Sequence, residues 1–164
     1  MKAIVVYESL WGNTAAIARA VAEGIGPETQ VLSTGEATGE AIAGADLIVA
    51  GAPLHAFGLP RESGRANLRA NPGRGPAPDL SNPTLRSWLE ALPAGQGRVA
   101  AFETRFKGSP GGAAGGILRR LKRLGYRPIA KGQRFFIKGT YGPLRDGEIE
   151  RARQWGAELA KAIG

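Results

Sequence analysis

The opening strand, loop and helix constrain this chain more than any other stretch. Ala3-Ile4-Val5-Val6-Tyr7 is a continuous apolar, partly β-branched run, the mark of a strand buried on both faces of a parallel sheet. The loop Ser9-Leu10-Trp11-Gly12-Asn13-Thr14 follows it. Ile17, Ala18, Val21 and Ile25 then recur at helical spacing until Gly24 to Pro27 stops the helix. Parallel strands cannot be joined by a tight hairpin and need a crossover, usually a helix. An α/β architecture is therefore set within the first few elements.

The rest of the chain repeats the alternation. Thr29 to Ser33 reads as a second strand, Glu36 to Ala43 as a short helix, and Leu47-Ile48-Val49-Ala50 as a third strand. Residues 60 to 83 carry Pro60, Gly64, Pro72, Gly73, Gly75, Pro76, Pro78 and Pro83, a density that predicts a long surface loop. A helix over Leu85 to Leu92, a fourth strand over Arg98 to Phe102 and a glycine-rich turn from Gly108 to Gly116 come next. Ile117, Leu118, Leu121 and Leu124 form the apolar face of another helix, with Gly125 at its C-terminus. Residues 127 to 138 supply a fifth strand, and Asp146 is placed to cap a last helix striped by Ile149, Ala152, Gly156, Leu159 and Ile163. The expectation is one domain over 1–164, a doubly wound five-stranded parallel sheet with helices on both faces. In such sheets ligands bind at the carboxyl ends of the strands, beside the switch in strand order. The loops after strands one, three and four are the ones to inspect.

Charge is unevenly placed. Residues 98–138 hold eleven Lys/Arg against Glu103 alone, whereas 1–97 hold seven against nine and 139–164 four of each. An acidic partner meeting the 98–138 surface is the expectation. The arginine-rich helix near Arg119 to Arg123 lacks the interleaved aromatics of a nucleic-acid surface. With no cysteine in the chain, thiolate metal sites, iron–sulfur ligation and cysteine catalysis are excluded. The apolar run at Ala3 to Tyr7 is too short for a signal peptide or a membrane span, so the expected setting is the cytoplasm, without a membrane partner. Nothing in the sequence specifies an oligomeric state.

The loop after the first strand carries the chemistry. Gly12 lets the backbone approach a ligand closely. The turn amides and the helix N-terminus point at an anion, and the hydroxyls of Ser9 and Thr14 add donors. The loop has neither the Gly-Lys-Ser/Thr ending of a nucleoside-triphosphate site nor the Gly-x-Gly-x-x-Gly of a dinucleotide site, which leaves a phosphomonoester. Capping of the helix by Asn13 or Thr14 is the alternative reading of the same residues.

Val6-Tyr7-Glu8-Ser9-Leu10-Trp11-Gly12-Asn13-Thr14, continued by Ile17-Ala18 and Ala22-Glu23-Gly24, resembles the flavodoxin family. That family's phosphate loop runs Ser/Thr-x-x-Gly-Asn-Thr after a strand ending in an aromatic residue. The resemblance implies a flavodoxin-like sheet of order 2-1-3-4-5 and FMN as cofactor, with its phosphate on Ser9, Leu10, Trp11, Gly12, Asn13 and Thr14. It also implies that the loop after strand three, Pro53, Leu54, His55, Ala56, Phe57 and Gly58, forms one wall of the isoalloxazine site. His55, the only histidine, either donates a proton near the flavin or simply covers the ring. The loop after strand four, beginning Glu103, Thr104, Arg105 and Phe106, forms the opposite wall, without the family's usual tyrosine.

Electron transfer follows from that resemblance, with an acidic redox protein or reductase as partner. An NAD(P)H-dependent quinone reductase and an interaction module that has lost tight flavin binding are the competing readings. Members of the family surround their flavin with carboxylates, and this chain inverts the sign. Arg105 and Lys107, if near the ring, would each favour the reduced anion by roughly 1 kcal/mol, about 40 mV.

Overall fold

The computed structural model describes residues 1–164 apart from Ala56 and Pro72. The strands are β1 (Ala3–Tyr7), β2 (Gln30–Ser33), β3 (Leu47–Pro53), β4 (Arg98–Arg105), β5 (Arg127–Pro128) and β6 (Gln133–Phe136). They form one sheet of order β2-β1-β3-β4-β5, with β6 also on β4, and every one of these pairings is parallel. This is the expected order, with one change. The expected fifth strand is broken into two pieces that meet β4 at Arg98–Val99 and at Phe102–Arg105. Pro128 offers no N–H to a ladder, and a Cβ on Gly132 would lie 2.7 Å from Ala114 Cβ. The ladder to β4 is interrupted over the residues that pass close beside Ala114.

The alternation inside β1 shows how the layers are built. Ile4 and Val6 face one core and Ala3 and Val5 the other, with Ile4, Val5 and Val6 wholly buried. Each such side chain contributes about 1.5–3 kcal/mol. On one face lie α1 (Asn13–Ile25) and α6 (Glu148–Ile163), joined to the sheet through Ile17, Val21, Phe102, Phe135, Trp155 and Leu159. On the other lie α2 (Gly39–Ile42), α4 (Leu85–Ala91) and α5 (Ala114–Arg123), through Ile42, Leu85, Trp88, Ile117 and Leu121. No helix among the described residues is long and apolar enough to cross a membrane.

Four sequence expectations are corrected. The segment 60–83 is not loop throughout: α3 spans Glu62–Ala70. Its prolines all lie outside that span, and its buried residue is Arg65, so hydrophobic periodicity could not reveal it. The fourth strand runs three residues past Phe102, which puts Glu103, Thr104 and Arg105 in β4 and not in a loop. The short helix starts at Gly39 because Thr38 caps it, accepting from the Ala41 amide at 3.2 Å. At α6 the cap position belongs to Gly147 at φ 85°, while Asp146 pairs with Lys138 at 3.2 Å in solvent.

Candidate functional site

A cavity of about 220 Å³ opens among the carboxyl ends of β1, β3, β4 and β6. Its floor is the loop from Ser9 to Thr14. Gly12, at φ 91°, turns the chain into α1, and its amide donates to Ser9 Oγ at 3.0 Å, folding the loop back on itself. No side chain caps α1, so capping is not what Asn13 and Thr14 do. The amides of Leu10, Trp11, Asn13 and Thr14 have no acceptor among the described residues. They sit at the positive end of a thirteen-residue helix. Thr14 Oγ1 lies 2.7 Å from Thr104 Oγ1, both buried. One hydroxyl donates to the other, which keeps its own proton for a ligand.

Pro53 ends β3, and the Leu54 amide donates to the Thr104 carbonyl at 2.9 Å, which fixes the following loop against β4. His55 and Gly58 then exchange main-chain hydrogen bonds of 2.9 and 3.1 Å in a tight turn. Pro53, Leu54 and His55 line the cavity, as do Thr104, Arg105 and Phe106. Ala56 lies outside the described residues. Phe57, Gly58 and Glu103 do not line this cavity. Phe57 is 70% exposed at φ 70° and faces a neighbouring hollow.

Four lining residues escaped the sequence reading: Leu68 on α3, Ser109, Ile137 and Thr140. Ile137 had a signal, being at the carboxyl end of a fifth parallel strand. Leu68 had none, since its helix was not legible. That helix comes close: a Cβ on Gly64 would lie 2.6 Å from His55 Cε1, so glycine there lets the imidazole pack against α3.

Two buried ion pairs frame the site. Glu8, just past β1, pairs with Arg65 of α3 at 3.2 Å and accepts from the Leu85 amide at 2.8 Å. Arg65 also donates to the Asn82 carbonyl. Burial pushes the Glu8 carboxyl above its ordinary range, against the pull of the Leu85 amide and of Arg65. Glu103 accepts from the Ala113 and Ala114 amides, each at 3.1 Å, and from Arg105 at 3.0 Å. Arg105 donates as well to the Gly111 carbonyl at 2.7 Å. The guanidinium expected to act as a free positive charge beside the ligand is therefore compensated by Glu103, and both are almost wholly buried. A larger hollow of about 670 Å³ lies against Met1, Asp46, Arg98 and Arg127. It is at the amino ends of β3, β4 and β5, the end of such a sheet that does not hold ligands.

No protein-family model and no curated protein sequence matches this chain. Solved structures do. A flavodoxin from the domain Archaea is 22% identical over 99% of both chains, with a TM-score of 0.70. Flavodoxin 1 from Bacillus cereus is 19% identical over 98% of both, with a TM-score of 0.64. The rubredoxin oxygen:oxidoreductase of Desulfovibrio gigas is 15% identical, with a TM-score of 0.62. The match covers 99% of this chain and 36% of that one. At such identities the likeness speaks for architecture, and with the observed strand order it establishes that this chain has the flavodoxin fold.

Proposed function

We propose that the chain binds FMN at the cavity over the β1–α1 loop and acts in electron transfer. The observation that carries this reading is the set of open amides at Leu10, Trp11, Asn13 and Thr14 at the start of α1. A phosphate monoester satisfies such donors without a cationic side chain. The residues fit the group: Ser9, Leu10, Trp11, Asn13 and Thr14 all line the cavity that the open amides belong to. Ser9 and Thr14 hold the phosphate end, and Leu54, His55 and Phe106 offer the ring apolar and flat surface. At about 220 Å³ the cavity is smaller than the roughly 300–1,000 Å³ of enclosed small-molecule sites. Part of the cofactor is then left at the surface, which suits exchange of electrons with another protein. The flavin supplies the redox chemistry when bound, while this chain supplies position and electrostatics.

Titration of the chain with FMN and with riboflavin, followed by flavin fluorescence, tests the reading. FMN is expected to be quenched and to bind at least about tenfold more tightly than riboflavin, because a phosphate engaging several amides through charge-assisted bonds is worth more than 1.4 kcal/mol. Equal affinities remove the phosphate pocket from the account. NAD(P)H oxidation with a quinone then separates a reductase from a carrier. The carrier reading, with an acidic redox protein as partner, expects no turnover and association that weakens with salt.

A further inference from the structure

Beside the cofactor cavity lies a second hollow, of about 510 Å³, whose lining includes Phe57, Glu103, Gly112, Gly116, Arg119 and Arg134. The two share a wall: Arg105 lines the cavity, while its ion-pair partner Glu103 lines the hollow. Glu103 already takes the first amides of α5, so that helix end has no use for a small anion. The rim is different. Arg119 and Arg134 are exposed, and neither is ion-paired among the described residues. Phe57 lines the same hollow, 70% exposed and at φ 70°. A bulky residue rarely takes that conformation. Its carbonyl accepts from the Gly112 amide at 3.2 Å. A side chain on Gly111, at φ 85°, would reach within 2.7 Å of Phe57 Cα, so glycine there allows the two loops to touch. An exposed aromatic that shares a hollow with two guanidiniums unpaired among the described residues has the composition of an interface hot spot.

We infer that this hollow is the docking site of an acidic redox protein, with Phe57 as the apolar anchor and Arg119 and Arg134 as the cations that orient it. The redox character of the partner rests on the FMN reading above; the docking surface does not. Charge complementarity selects the occupant, since the exposed cations of the hollow are Arg119 and Arg134 and its one acid, Glu103, is buried and already paired with Arg105. A protein is favoured over nucleic acid because a single phenyl ring at a short groove offers one anchor and no succession of stacking platforms.

The test uses isotope-labelled chain, with and without FMN, titrated at low salt with a small acidic [2Fe–2S] ferredoxin and followed by amide shifts. Shifts are expected at Phe57, Gly112, Arg119 and Arg134. Arg119→Glu and Arg134→Glu are each expected to weaken binding about tenfold, and Phe57→Ser comparably. Lys122→Glu, on the same helix but outside the hollow, should change it less than about twofold. Equal weakening by Lys122→Glu, shifts centred elsewhere, or tighter binding of a short DNA duplex overturns the proposal. FMN affinity of Arg119→Glu and Arg134→Glu, read by fluorescence, should match the parent chain. If FMN binds while the ferredoxin leaves the hollow unshifted, the docking inference alone is lost. If FMN does not bind but the shifts appear, it is the cofactor reading that fails.

Discussion

Gly12 holds φ at 91° at the entrance to α1, a conformation that costs any residue with a Cβ about 1–2 kcal/mol. A Cβ there would meet no protein atom within 4 Å, so the backbone conformation is what a side chain disturbs, and with it the set of the loop amides. Gly12→Ala is therefore expected to lower unfolding stability by about 1 kcal/mol in urea titration and to weaken FMN at least about tenfold by fluorescence. Glu148 is a second residue with a defined task. Its carboxylate accepts from the Phe136 amide at 2.7 Å and from Arg151 at 2.9 and 2.7 Å, clamping α6 to β6. Burial pushes this carboxyl up, but Arg151 and the Phe136 amide together pull it below its ordinary value of 4.5. With a depressed folded pKa, its contribution is present above about pH 4.5 and lost as pH falls through the folded value. Glu148→Gln should cost about 1–3 kcal/mol at neutral pH and flatten the acid limb, as measured by denaturation at several pH values. Glu8, raised by burial, acts in the opposite sense, its contribution declining as pH rises through its folded value.

Among the elements, α1 and α6 depend on glycine for their close approach. A methyl group at Gly24 would sit on the Arg153 carbonyl, and one at Gly156 on the Val21 carbonyl. Gly24→Ala and Gly156→Ala are each expected to destabilise by about 1–3 kcal/mol in chemical denaturation, because backbone oxygens cannot rotate aside as side chains do. Gain of stability from the better helix former would show that the helices separate freely. The strands and the amphipathic helices were legible in the sequence, since each buries an apolar face whose period is visible along the chain. By contrast, α3 was not. It is held by one buried guanidinium on Glu8 and Asn82, and an ion pair between residues far apart in sequence leaves no periodic trace. The break between β5 and β6 was hidden for a related reason, since it reflects Gly132 meeting Ala114 across space.

At the scale of the whole molecule, the net charge of +8 is the property that sets this chain apart from the acidic flavodoxins it resembles. None of the described cavity-lining residues is Asp or Glu, and Arg105 is neutralised by Glu103. Of the two basic residues expected to act on the flavin, only Lys107 remains uncompensated. The FMN complex is therefore expected to have a less negative potential for full reduction than acidic flavodoxins. With Arg105 cancelled and Lys107 outside the cavity lining, the shift is expected to be smaller than the sequence implied and to shrink as salt rises. Potentiometry at two ionic strengths checks this, and a value as low as theirs removes the electrostatic account. The sequence alone determined the α/β class, the first three strands with the two helices between them, and the loop from Ser9 to Thr14. All of these are written in local pattern and turn chemistry within a few residues of one another. Only the tertiary structure decided that Glu103 and Arg105 cancel each other's charge, that Leu68 and Ile137 wall the cavity, and that Phe57 faces a different hollow. Such outcomes depend on which distant side chains meet in space, and burial, charge pairing and loop geometry are fixed there and not along the chain.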